Sequence, residues 1–248
     1  MKILGIIPAR YASTRFPGKP LVVIDGKTMI RRVYEQALLC EELASVVVAT
    51  DDDAIFNHVG LFNGRVCMTS EHHRSGTERC NEIVEILRKS GERYDYIINI
   101  QGDEPFINPE QIKQLARCFE GGQAKLATLI KKISNPEDLS NPNVVKVTID
   151  RKGSALLFSR SPIPYTRGAD QNTWLSATIY YKHIGIYGYE SSVLGDIVSL
   201  PETPLEKAES LEQLRWLEHG LRIKTQVTEF ESVAIDTPAD LLKITNRS

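Results

Sequence analysis

Two groups of charged residues, one basic and one acidic, define the chemistry this sequence can do. Arg10, Arg15 and Lys19 gather in the segment Pro8-Ala9-Arg10-Tyr11-Ala12-Ser13-Thr14-Arg15-Phe16-Pro17-Gly18-Lys19-Pro20. Fixed cations beside a backbone that Gly18 lets a ligand approach are what a triphosphate needs. The segment is no P-loop, because GxxxxGK[ST] is absent, which disfavours ATPase-type chemistry. The second group is acidic: Asp103 in Gln101-Gly102-Asp103-Glu104-Pro105, and Asp236 in Ile235-Asp236-Thr237-Pro238-Ala239-Asp240. Alone, Asp103 reads as a turn residue. A hard carboxylate also suits magnesium, commonly held by one or two protein carboxylates plus the substrate's phosphates. Thr237 as N-cap, Pro238 at the first helical position and Asp240 two residues later form a helix start that gives the capping job to Asp240 and not to Asp236.

Two further segments carry polar clusters. Thr50-Asp51-Asp52-Asp53 has the Asp-x-Asp spacing of a metal-nucleotide site, although Asp52 and Asp53 read better as acids that cap the following helix. Ser75-Gly76-Thr77-Glu78-Arg79 fits an S-x-x-E capping box, and free N–H groups at a helix start also suit a base or phosphate.

These segments lie where an α/β fold would put its ligands. Apolar runs at Ile3–Ile7, Val46–Ala49, Tyr96–Ile100 and Lys125–Ile130 alternate with helical patterns at Met29–Leu39, Ala54–Val59, Thr77–Arg88 and after Pro109. The expected fold is a doubly wound α/β structure with a mostly parallel, mixed sheet, whose ligands sit outside the carboxyl ends of the strands. The stretch 144–200 changes character, with β-branched and aromatic runs and Pro- or Gly-punctuated loops, and predicts added strands plus a lid or partner-contacting arm. A helix over Leu205–Leu217, a strand over Ile223–Val227 and a helix after Pro238 close the chain.

With 248 residues, the chain is expected to form a single domain over 1–248. A formal charge of -2 provides no global basic field for nucleic acid. The first apolar run is cut by Pro8 and Arg10, too short for a signal-peptide core or membrane span, so a cytoplasmic location without membrane insertion is expected. Cys40, Cys67, Cys80 and Cys118 lack CxxC spacing and read as reduced structural thiols. His72 and His73 read as surface loop, with no third ligand at metal spacing nearby.

Taken in order, Ile7-Pro8-Ala9-Arg10, Pro17-Gly18-Lys19-Pro20-Leu21, Val48-Ala49-Thr50-Asp51, Ser75-Gly76-Thr77-Glu78-Arg79, Asn99-Ile100-Gln101-Gly102-Asp103-Glu104-Pro105, Asn141-Pro142-Asn143-Val144-Val145-Lys146-Val147, Phe158-Ser159-Arg160, His183-Ile184-Gly185-Ile186-Tyr187, Leu211-Glu212-Gln213-Leu214-Arg215 and Asp236-Thr237-Pro238 closely resemble the bacterial 3-deoxy-manno-octulosonate cytidylyltransferases. The resemblance runs almost end to end. It implies a nucleotide-diphosphosugar-transferase type of fold, a homodimer, and magnesium-dependent transfer of CMP from CTP to a sugar acid with release of pyrophosphate, activating the sugar for lipopolysaccharide core synthesis. It also implies a nucleotide site of Pro8, Ala9, Arg10, Arg15, Lys19, Asp51, Ser75, Gly76, Thr77 and Gln101, metal-binding Asp103 and Asp236, and a sugar pocket of Arg160, His183, Tyr187, Glu212 and Gln213. Catalysis would fall to Arg10, Lys19, Asp103 and Asp236. Part of the 144–200 stretch would bind the sugar and the partner subunit. His72-His73-Arg74 and the arm 165–182 depart from the family pattern.

No residue announces itself as general base; His183 qualifies by type, and metal-assisted deprotonation is the alternative. The sugar acid could equally be an 8-amino analogue or a sialic acid. A glycosyltransferase using Asp51-x-Asp53, or a non-catalytic nucleotide sensor, are the competing classes.

Overall fold

A computed structural model of the chain describes residues 1–12, 16–231 and 233–245. Its strands are β1 (Ile3–Ala9), β2 (Val23–Ile24), β3 (Lys27–Thr28), β4 (Leu43–Thr50), β5 (Val66–Met68), β6 (Tyr96–Asn99), β7 (Leu126–Lys132), β8 (Lys146–Ile149), β9 (Ala155–Ser159), β10 (Tyr181–Glu190) and β11 (Ile223–Val227). The helices are α1 (Met29–Leu38), α2 (Asp53–Leu61), α3 (Gly76–Lys89), α4 (Pro109–Arg117), α5 (Pro136–Ser140), α6 (Trp174–Ala177), α7 (Ser191–Ser199), α8 (Pro204–Glu209), α9 (Glu212–Glu218) and α10 (Pro238–Thr245).

Period-2 alternation explains why both sheet faces are covered. In β1, Ile3 and Ile7 join one buried cluster while Leu4 and Ile6 join the other; in β4 the same division separates Val46 and Val48 from Val47 and Ala49. The first cluster takes Ile30, Val33 and Ala37 of α1 with Ile112 and Leu115 of α4. The second takes Cys80, Ile83 and Leu87 of α3, Leu194 and Ile197 of α7, and Leu214 and Trp216 of α9. Each helix offers one apolar stripe at the spacing its turn dictates.

The main sheet runs β11-β7-β10-β6-β1-β4-β5, with the β8–β9 hairpin attached beside β10. Neighbours pair in parallel except where β10 runs antiparallel to both β6 and β7. The expected mixed, mostly parallel sheet is therefore present. One expectation is refined: of the strands expected within 144–200, that at 181–190 lies inside the main sheet, with Tyr189 buried completely. Between the hairpin and β10, residues 165–180 close on a small core shared with Ile133 and Leu139, where Trp174 stacks on Tyr180 at 6.1 Å and Tyr180 Oη donates to Pro164 O at 2.8 Å. A correction falls on the helix expected over 205–217. It is two helices, broken where Ser210 takes φ 52.

Candidate active site

The cleft sits past the carboxyl ends of β1 and β6, where an open α/β sheet leaves room for ligand. It is lined by Pro8, Ala9, Arg10, Lys19, Pro20, His73, Arg74, Ser75, Gly76, Arg79, Gln101, Gly102, Asp103 and Asp236. Gly102 is demanded by close approach: a Cβ there would come within 2.6 Å of the Pro8 carbonyl oxygen, a backbone contact that cannot yield. This contact locks the end of β6 against the end of β1 and sets Asp103 beside the Pro8–Arg10 segment.

Asp236 is delivered by a different route. Ile235 N donates to Asp103 O at 2.9 Å, and Ile235 is buried with Ile24 and Met29, so the chain before α10 is pinned next to Asp103. Thr237 and Asp240 then form the expected reciprocal cap: Thr237 N donates to Asp240 Oδ2 at 3.0 Å, and Asp240 N to Thr237 Oγ1 at 3.3 Å. From the short 3₁₀ turn Lys19–Leu21, Lys19 Nζ reaches both acids, at 2.8 Å from Asp103 Oδ2 and 3.2 Å from Asp236 Oδ1. Lys19 was expected on the phosphates; here it bridges the carboxylates.

The donor set tests the magnesium expectation. Two hard carboxylates converge on the Lys19 ammonium, and among the described residues no cluster of three or more His, Cys, Asp or Glu side chains offers further ligands. A site with two protein carboxylates suits an ion that completes its shell with phosphate oxygens and water, so the residues fit magnesium.

Ser75 caps α3 by accepting from Glu78 N at 3.2 Å, but Glu78 accepts from Arg74 N at 2.7 Å, so only half of the capping box forms. The Ser75 and Thr77 hydroxyls each donate to Glu212, both at 3.1 Å. Burial pushes the Glu212 carboxyl up, partly offset by those two bonds. Thr77 thus faces Glu212 and is not among the cleft-lining residues.

Asp51 lies off the cleft wall as well. It pairs at 2.6 Å with Arg79, which is 4% exposed and also donates to the Thr69 hydroxyl. Asp52 caps α2 by accepting from Ile55 N at 2.9 Å, the helix-capping role its sequence position suggested. The Asp51-x-Asp53 motif is therefore divided between a buried ion pair and a helix start, which removes the support for a glycosyltransferase metal site. Arg15 lies outside the described residues.

Of the residues assigned to the sugar, none is among those lining this cleft, and two, His183 and Tyr187, stand in a row of ring contacts. Phe158 meets His183 edge-on at 5.3 Å between ring centroids, His183 meets Tyr187 at 5.1 Å, and Tyr187 meets Trp216 of α9 at 5.1 Å. Gln213 is buried on the same helix as Glu212. Desolvation lowers the half-buried His183 ring to a pKa of about 3, which makes it a poor proton acceptor at neutral pH. The Tyr187 hydroxyl is buried with no partner among the described residues, and burial drives its pKa well up. Arg160 gives Nε to Glu209 O at 2.7 Å and Nη1 to Pro142 O at 3.0 Å, so neither a surface salt bridge nor a free bidentate fork describes it.

Sequence reasoning missed His73, Arg74 and Arg79 as cleft residues. His73 reads as surface loop in the sequence, yet it is half-buried and bonds Glu82 at 2.5 Å. The signal for His73 and Arg74 was position alone, immediately before a helix start already under suspicion.

Similarity to known proteins runs along nearly the whole chain. A family model described as cytidylyltransferase matches residues 4–223. The 3-deoxy-manno-octulosonate cytidylyltransferase of Parabacteroides distasonis is 54% identical, over 98% of this chain and 96% of its own. That of Cytophaga hutchinsonii is 53% identical over 100% of this chain and 98% of its own. The solved structure of a CMP:2-keto-3-deoxy-manno-octonic acid synthetase complexed with CTP superposes with a TM-score of 0.90 at 41% identity, covering 100% of this chain and 98% of that one. With a converging acid pair, a cation-lined cleft and this extent of identity, the chain belongs to the 3-deoxy-manno-octulosonate cytidylyltransferase family.

Proposed function

We propose that the protein transfers the cytidylyl group of CTP to the anomeric hydroxyl of 3-deoxy-manno-octulosonate, yielding the CMP-sugar and pyrophosphate and so activating the sugar for lipopolysaccharide core synthesis. The observation that carries this reading is the meeting of Lys19, Asp103 and Asp236 in a cleft that Arg10 and Arg74 also line.

The bond that forms joins the sugar oxygen to the α-phosphorus; the bond that breaks releases pyrophosphate, and the hydroxyl proton must leave. Positioning and charge neutralisation are the main demands. Asp103 and Asp236 would hold magnesium, which supplies neutralisation of phosphate charge and a lowered pKa for the attacking hydroxyl. Arg10 and Arg74 bind the outer phosphates and stabilise charge on the leaving group. Ser75, Gly76 and Gln101 orient the cytidine, with Pro8 and Ala9 beneath it. Glu212 spans the reaction, because the carboxylate that fixes the Ser75 and Thr77 hydroxyls opens the helix carrying Gln213. Arg160, His183, Tyr187 and Gln213 enclose the sugar acid, and the neutral His183 ring orients it without taking the proton.

A homodimer and a cytoplasmic location complete the reading. The exposed Leu156 and Ile179 within the 144–200 segment support the first, and the need for CTP supports the second. Among the described residues no helix is long and apolar enough to cross a membrane.

Pyrophosphate release is the test, measured with CTP, ATP and GTP against 3-deoxy-manno-octulosonate, its 8-amino analogue and a sialic acid. The expected result is a kcat/KM highest for CTP with 3-deoxy-manno-octulosonate. Equal use of a purine triphosphate, or preference for either other sugar acid, would overturn the respective half of the assignment. Light scattering on the eluting protein checks for the dimer.

A further inference from the structure

Lys19 stands between the two acids that the proposed function assigns to magnesium. Its side chain is 13% exposed, less than either Asp103 at 25% or Asp236 at 39%, so the lysine is the most enclosed side chain of the three. Lys19 is placed there by the Lys19–Leu21 turn, and the acids by the Ile235–Asp103 backbone bond. The contact is therefore built from three separate parts of the chain.

Like charges this close repel, and an ammonium between them offsets that repulsion. A divalent ion drawn to Asp103 Oδ2 and Asp236 Oδ1 must compete with Lys19 for the same oxygens. The lysine has somewhere to go. Its flexible four-carbon stem ends in a compact charge, and the cleft it lines with Arg10 and Arg74 is the one the triphosphate fills.

We propose that Lys19 is the resident counter-ion of the metal site, released to the triphosphate when nucleotide and metal load together. This rests on the reading of Asp103 and Asp236 as metal ligands. Without nucleotide the site resists a bare dication, because displacing Lys19 strands its charge; with nucleotide, the same displacement places that charge on a phosphate. Binding of the two is then positively coupled, and reciprocally so.

The test is Mn²⁺ binding to the full chain without nucleotide, read from the electron-spin-resonance signal of the free ion. Lys19→Met is expected to bind Mn²⁺ at least ~10-fold tighter than wild type, a shift of about 1.4 kcal/mol. Lys19→Arg keeps the charge and should stay weak. Adding Asp103→Asn to Lys19→Met should abolish the gain. In chelator, Lys19→Met should melt below wild type, and Mn²⁺ should raise its midpoint by more than it raises the wild type's. If Lys19→Met binds no tighter while Asp103→Asn still weakens the ion, the metal reading survives and the counter-ion proposal is overturned. If Mn²⁺ binding is indifferent to Asp103, both fall together.

Discussion

Asp236 and Asp240 are four residues apart and do different work. Asp240 receives the Thr237 N–H and hydroxyl, at 3.0 and 2.8 Å, and starts α10; Asp236 faces Lys19. Asp240→Asn is expected to lower the melting midpoint, through loss of roughly 0.3–1 kcal/mol of charge at a helix start, with turnover kept. Asp236→Asn should do the reverse, abolishing magnesium-dependent turnover at little change in midpoint. Turnover against magnesium concentration and thermal melts of both variants check this, and loss of activity in Asp240→Asn alone would mean the ligand has been misassigned. Arg10 gives a separate test. It is exposed on the cleft wall, so Arg10→Leu should melt like wild type yet slow turnover by the ~10²–10³ typical of losing one transition-state charge stabiliser. The cap by Thr237 and Asp240 was legible in the sequence because it is local: a T-x-x-D helix start carries its meaning within a few residues.

Between elements, meaning becomes non-local, and the sequence is correspondingly less informative. Glu212 opens α9 and accepts hydrogen bonds from Ser75 and Thr77 at the start of α3, 137 and 135 residues away in sequence. No local pattern announces that contact, and the resemblance to known relatives placed Glu212 only at the sugar. The break between α8 and α9 was equally hidden, since apolar spacing continues through Ser210, which is neither Gly nor Pro. Glu212 also yields a signed pH prediction. Burial raises its folded pKa above the ordinary 4.5, so at neutral pH its buried charge opposes folding, and that penalty fades as pH falls through the raised pKa toward 4.5. Glu212→Gln should therefore melt above wild type at pH 7, the gap closing on acidification, while kcat/KM drops because the Ser75 and Thr77 hydroxyls lose their fixed acceptor. A variant that melts below wild type at pH 7 would show that the two hydroxyl bonds outweigh the desolvation.

At the scale of the whole molecule, β10 links the residues proposed for the sugar to the strand that leads into the cleft. Pairing with β6 on one side and β7 on the other, it carries His183 and Tyr187 toward α9 and sets Tyr187 opposite Asn99, two residues before Gln101. The sequence showed that 144–200 was rich in strands but not that one of them lies inside the sheet, because an antiparallel strand inserted between parallel neighbours arrives by a long excursion that periodicity cannot trace. What lets it fit is Gly188, where a Cβ would fall 2.5 Å from Phe119 Cε2 and 2.7 Å from Cζ. Phe119 cannot easily retreat, being 1% exposed and stacked on Tyr96 at 4.4 Å between ring centroids. Gly188→Ala is accordingly expected to destabilise the protein by about 1–3 kcal/mol, the usual range for overpacking a close-packed interior. Phe119→Leu removes the ring atoms that clash and should itself destabilise, by opening a void. In that background, however, Gly188→Ala should be nearly neutral, because its methyl enters space the ring has vacated. The coupling is read from urea unfolding midpoints of wild type, both single variants and the double variant. Strictly additive losses would place the strain of Gly188→Ala in the strand backbone instead of against Phe119, and would remove the steric reason for a glycine at the centre of this sheet.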